Sequence, residues 1–139
     1  MTTNNMKDDA NISMDNFDYL DGAISQVRSL TVFIIANENY KAMTQATLVN
    51  LLWTASDRIG EVLAGSVDMC FGEVPREQLR FEQLLTQAKS VLDALRNSDG
   101  FGGLLGDHLS NVIWLADGLL EDALKELGKM PVRHDEQAA

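Results

Sequence analysis

The chain reads as an all-α protein, an antiparallel four-helix bundle built from two pseudo-repeated helical hairpins. Three observations predict this. Apolar residues recur at three-four spacing over four long segments, the period of a helix buried on one face. No stretch alternates apolar and polar residues as a half-buried strand would. And one block of sequence returns 61 residues later without a gap. Ser25-Gln26-Val27-Arg28-Ser29-Leu30 matches Thr86-Gln87-Ala88-Lys89-Ser90-Val91, and Asp21 falls on Glu82. The same offset carries Tyr40 onto Phe101 and Leu48 onto Leu109. It carries Asn50-Leu51-Leu52-Trp53 onto Asn111-Val112-Ile113-Trp114, then Ala55 onto Ala116 and Leu63 onto Leu124. A fixed-period repeat decides architecture before any local assignment. Two similar hairpins imply a pseudo-two-fold axis between them.

The elements follow in order. Residues 1–14, rich in Asn, Asp and Thr, are expected to be a disordered N-terminal segment. The first helix is expected to begin near Asp15, an acceptable N-cap. Phe17, Leu20, Ile24, Val27, Thr31 and Ile34 form its seam. Leu30, Phe33 and Ile35 widen the stripe until the second half is apolar almost all round, which places this helix centrally or beneath another subunit. Asn37-Glu38-Asn39-Tyr40 breaks the pattern. The second helix runs from near Thr44 to Val67 on a seam of Leu48, Leu52, Ala55, Ile59 and Val62. Pro75 suits the first turn of the third helix, whose inner face holds Phe81, Leu84, Leu85, Ala88, Val91, Leu92 and Leu95. A Gly-rich loop from Asn97 to Gly106 carries Phe101. The fourth helix starts near Asp107, packs Leu109, Val112, Ile113, Ala116, Leu120, Ala123, Leu124 and Leu127, and ends at Gly128 and Pro131. The bundle domain therefore spans 15–130, with 131–139 a loose tail.

Composition narrows the function classes. The formal net charge is -10, which argues against direct nucleic-acid binding, because that affinity comes from Lys and Arg neutralising phosphates. It equally disfavours docking on anionic membranes. The longest apolar run, Leu30 to Ala36, is too short to span a bilayer. A single cysteine, Cys70, and an opening segment without a signal pattern point to the cytoplasm.

Few residues suggest chemistry. Asp57/Glu61 and Asp117/Glu121 are carboxylate pairs four apart, expected on solvated faces away from the seam. No Glu-x-x-His accompanies them, as a di-iron bundle requires, so no metal or cofactor is expected. The Gly-rich loop lacks the Lys of a P-loop and the spacing of a dinucleotide fingerprint. Cys70, flanked by Asp68 and Glu73, is expected to have a raised thiol pKa. His108 and His134 have no assignable partner. No catalytic residue is expected.

Trp53 and Trp114 fall well off the centre of their seams, on the same side of both helices, with Asn50 and Asn111 farther round. Such a Trp either wraps over the neighbouring helix or anchors a partner. Trp53, Trp114, Phe33 and Ile35 are the interaction candidates. The expected function is a non-catalytic interaction or regulatory module acting through helical surfaces and self-associating as a dimer. The alternative is an acidic inhibitor that mimics DNA in the groove of a nucleic-acid enzyme, resting on Asp8, Asp9, Asp15, Asp18, Asp21 and Glu38 against Lys7 and Arg28 in residues 1–40.

Overall fold

The computed structural model describes residues 12–70, 73–96 and 106–133. Four helices dominate: α1 (Met14–Ile35), α2 (Gln45–Ser66), α3 (Arg76–Arg96) and α4 (Gly106–Gly128). Their principal contacts run α1 to α2, α2 to α3, α3 to α4 and α4 back to α1, so each helix packs on two neighbours around one shared core. Side-chain partners give the directions. Ser66 meets Glu82 while Ser56 meets Asp93, so numbers rise along α3 as they fall along α2. Arg28 approaches Glu121 while Thr31 meets Asp117, the same sense between α1 and α4.

Local chemistry sets the helix ends. Ser13, not Asp15, caps α1: its Oγ accepts from the Asn16 amide at 3.1 Å, and Asp15 lies in the first turn beside the positive end of the helix. Thr44 caps α2 by accepting from the Thr47 amide at 3.1 Å. Pro75 directly precedes α3, and its carbonyl accepts from Leu79 at 3.1 Å. The break after α1 is a tight turn, Ala36–Ala42, in which Asn37 and Glu38 both take left-handed backbone, φ 53° and 56°. Asn tolerates that region; Glu does not and is strained there. Asn39 Nδ2 donates to the Phe33 carbonyl at 2.7 Å, satisfying an acceptor that the ended helix leaves open.

The buried seams follow the expected ones except at Phe17, Val91, Val112 and Leu124, which are only partly buried at the edge of the core. Leu20, Ile24, Val27 and Ile34 from α1 meet Leu52, Ala55, Ile59 and Val62 from α2, and Phe81, Leu85, Ala88, Leu92 and Leu120 close the core from the other half. Burial also keeps step with the 61-residue offset. Leu48 and Leu109, Leu52 and Ile113, Ala55 and Ala116, and Val62 and Ala123 are buried in both halves. Asn50 and Asn111, and both tryptophans, are exposed in both.

Two expectations change at the ends of the bundle. Ile12–Ser13 and Val132–Arg133 pair as a two-residue parallel ladder, β1 with β2, Ile12 opposite Val132. Ile12 also bridges Cys70. Ile12 and Met130 are buried, so the ordered unit extends beyond 15–130 at both ends. Two residues are too short for alternation to show, and burial of Ile12 supplies the energy. The expected disorder at 1–11 and 134–139, and the Gly-rich stretch 97–105 with Phe101, lie outside the described residues.

Glu38→Gly relieves a side chain held at positive φ and loses only an exposed ion pair with Lys41. It is expected to raise stability by about 0.5–1 kcal/mol. A urea midpoint that does not rise argues against strain at this turn.

Candidate interaction surfaces

The largest departure from sequence expectation is Asp117. Expected on a solvated face, it is 2% exposed. On α4 it lies on the flank that meets α1, where Arg28 grips it through two hydrogen bonds, Nε to Oδ1 at 3.1 Å and Nη2 to Oδ2 at 2.9 Å. The Thr31 hydroxyl lies 2.9 Å from both Asp117 Oδ1 and the Arg28 carbonyl, and gives its one proton to either. Glu121, half exposed, stands 3.9 Å from Arg28 Nη1. The hydrogen bonds to Asp117 raise the pKa of the Arg28 guanidinium against the opposing effect of burial, and the charges of Asp117 and Glu121 add to the rise.

A counterpart occupies the other half. Ser56 stands 61 residues before Asp117 and Lys89 stands 61 after Arg28. Here the carboxylate sits on the opposite helix: Asp93 accepts from Ser56 Oγ on α2 and from Lys89 Nζ at 2.8 Å. Burial raises the pKa of Asp93, but hydrogen bonds from Lys89 and Ser56 and the charges of Lys89 and Arg96 outweigh it, so the carboxyl lies below the ordinary aspartate range. Each hairpin is thus tied to the other by a polar bridge at equivalent height, with the acid on different helices.

The tryptophans stand one turn before these bridges, Trp114 before Asp117 and Trp53 before Ser56, on the same flank of their helices. Trp53 is 44% exposed and Trp114 51%. Arg96 of α3 lies over the Trp53 ring, 3.8 Å from its centroid. Asp57 Oδ1 at 3.3 Å and Asp93 Oδ1 at 3.2 Å hold Arg96 in place. The second contact is an ion pair without hydrogen-bond alignment, since Arg96 Nε is buried with no acceptor. Position 35 is the sequence counterpart of position 96 and holds the buried Ile35, not an arginine.

The four interaction candidates therefore separate. Phe33 is 55% exposed, whereas Ile35 is 6% exposed and belongs to the core. Two residues apart on a helix are about 200° apart round its axis, so both cannot face outward. Leu115, Leu79 and Val74 are also exposed; sequence reasoning passed over them, although helical phase sets Leu115 away from the Leu109 seam. Shallow grooves flank α1. One of about 320 Å³ is lined by Ser25, Arg28, Ser29, Val32 and Leu124. Another of about 170 Å³ is lined by Gln26, Val27, Leu30, Thr54, Ala55 and Arg58.

Cys70 has a raised thiol pKa, through burial first and then Glu82, not through the flanking Asp68 and Glu73. A thiol held protonated is a poor nucleophile. Glu82 Oε2 accepts from Ser66 Oγ at 2.6 Å and Gln78 Nε2 at 2.8 Å, all at the end of the bundle away from the tryptophans. Among the described residues no group of three or more His, Cys, Asp or Glu side chains is placed to hold a metal ion. No described helix is long and apolar enough to cross a membrane. No family model, curated protein or solved structure matches the chain.

Two stability measurements follow. Asp117→Ala strands Arg28 and Thr31 and is expected to cost about 2–4 kcal/mol, while the apolar triad Arg28→Met, Thr31→Val, Asp117→Leu stays within about 1.5 kcal/mol of the parent. Equal losses for the two variants would show that the bridge is not a desolvated unit. For Asp93, a depressed folded pKa means its contribution is present above the unfolded value of about 3.9. That contribution is lost as pH falls through the folded value. The stability gap between parent and Asp93→Asn, followed by thermal melts, should therefore be open at neutral pH and close in acid.

Proposed function

We propose that this protein is a non-catalytic interaction and regulatory module that works through its helical surfaces and self-associates as a dimer. The observation that carries the reading is Trp114 and Phe33, each more than half exposed in the half of the bundle where α1 ends and α4 begins. Trp114 lies on the flank of α4 that adjoins α1, and Phe33 is on α1 itself. Large aromatics left in water cost stability, and burying them against a partner releases that cost; Trp in particular anchors interfaces. Trp53 contributes less, because Arg96 already covers its ring. A cytoplasmic setting belongs to this proposal and rests on the unpaired Cys70.

One observation favours the acidic-inhibitor reading as second. Among the described residues, Asp15, Asp18 and Asp21 are exposed in the first turns of α1 and enter no ion pair, whereas Glu38, Asp57, Glu61, Asp93, Asp117, Glu121 and Glu126 each lie within ion-pair distance of an Arg or Lys. Under that reading a captured basic nucleic-acid enzyme is released by duplex DNA and by changing these three residues to Asn.

Light scattering over a dilution series is expected to show a concentration-dependent dimer. Trp114→Ala and Phe33→Ala each weaken it by about tenfold or more, and Trp53→Ala by less. A monomer at every soluble concentration, or a dimer indifferent to both Trp114 and Phe33, removes this reading.

A further inference from the structure

Of the three links between helices, only the first has neither glycine nor proline. From Ala23 to Ile59 the sequence contains none, whereas Gly72 and Pro75 lie between α2 and α3 and the stretch before α4 is Gly-rich. The first reversal is made instead by Asn37 and Glu38, both in left-handed backbone. Each carries a strain there that a right-handed helix would remove. Asn39 to Ala42 already form a helical turn. Nothing in this segment forbids a continuous helix from α1 into α2.

The spacing across the turn favours that alternative. Leu20, Val27 and Ile34 are buried at seven-residue steps on α1, and Leu48, Ala55 and Val62 at the same steps on α2. Ile34 and Leu48 are fourteen residues apart, two heptads. Thr31 and Leu52, both fully buried, are three heptads apart. One register therefore runs from Leu20 to Val62, and a helix drawn through the turn keeps both seams on one face.

A hairpin whose reversal is strained and whose arms share a register can open and close on a second copy. Ile12–Ile35 of each chain then leaves its own bundle and enters the other. The contacts it makes in the closed chain are remade between copies: Ile12 with Val132, the α1 seam with α2 and α4, and Arg28 and Thr31 with Asp117. The closed structure thus shows what covers each exchanged surface, and only the hinge differs. Opening returns Asn37 and Glu38 to right-handed backbone and adds helical hydrogen bonds. It gives up the Asn39 bond to the Phe33 carbonyl and the burial of Tyr40. Tyr19 meets Arg58, and Gln26 shares a groove with Thr54, so the arms pair about a point near Asn39. That point becomes a two-fold axis, where Glu38 and Lys41, paired within the closed turn, face Lys41 and Glu38 of the other copy.

We propose that the protein self-associates by domain exchange, α1 and α2 joining into one helix from Met14 to Ser66 that lays β1 and α1 on a second copy. The proposal rests on the self-association reading above and names its surface, the inner face of α1. The two bundles lie end to end, with the half that holds Phe33 and Trp114 innermost.

Sedimentation velocity over a dilution series tests it, with circular dichroism confirming that each variant is folded. Asn37→Gly with Glu38→Gly eases the closed turn and is expected to weaken the dimer by about tenfold or more. Asn37→Ala with Glu38→Ala favours the continuous helix and strengthens the dimer by a similar factor. A second readout follows the chains themselves. In a Cys70→Ser background, Gln26→Cys and Thr54→Cys are joined by a short bismaleimide in the isolated dimer. Exchange links two chains into a covalent dimer on a denaturing gel. Linkage within single chains, or a dimer affinity indifferent to both hinge variants, overturns the exchange and leaves self-association standing. A parent protein that stays monomeric at every soluble concentration overturns both.

Discussion

The Arg28–Asp117 pair organises more of this molecule than any other contact. A carboxylate buried to this degree is tolerable only with both oxygens occupied, and Arg28 and Thr31 occupy them. The geometry admits one register of α1 against α4. An ion pair of this kind adds little net stability over an apolar substitute, because desolvation offsets attraction. Its effect is on specificity: a slip of either helix by one turn would leave a buried charge alone. Arg28 is the only charged residue in the second half of α1, and it stays partly exposed beside Glu121.

The other half of the bundle has a second lock that does not copy the first. Lys89, Asp93 and Ser56 hold α3 to α2 at the equivalent level, but the carboxylate has moved from the even-numbered helix to the odd one. Arg96 then finds an acidic site next to Trp53 and covers its ring. On the other side Ile35 takes the corresponding position and turns into the core, which leaves Trp114 uncovered. Equivalent scaffold positions therefore end in different surfaces: one tryptophan is capped within the chain and the other faces water.

Stability and surface are divided along the length of the bundle. The end where the chain begins and the described part finishes is closed by β1, β2 and the Ile12–Cys70 bridge. It also carries the Ser66–Gln78–Glu82 cluster and the exposed Asp15, Asp18 and Asp21. The opposite half holds Phe33, Trp53 and Trp114, with the charges of Lys41, Lys89 and Arg96 bonded to neighbouring acids.

Helix number, helix limits and the buried seams were legible in the sequence, because period 3.6 is a local property of one chain segment. So was the offset that aligns Leu48 with Leu109 and Trp53 with Trp114. Exposure of the flanking residues was not. Asp117 and Asp57 look alike in sequence, each an Asp four residues before a Glu. Their helical phases differ: Asp57 lies about opposite its own seam and is exposed, whereas Asp117 lies about 80° off its seam, where packing against α1 buries it. Phe33 and Ile35 were separable from the sequence, since they lie about 200° apart round the helix and only Ile35 falls near the Ile24–Ile34 seam. The pairing of Ile12 with Val132 lay beyond any pattern two residues long. Helical periodicity determined which faces the four helices bury; the tertiary structure decided how their flanks differ, through charges whose partners lie on another helix.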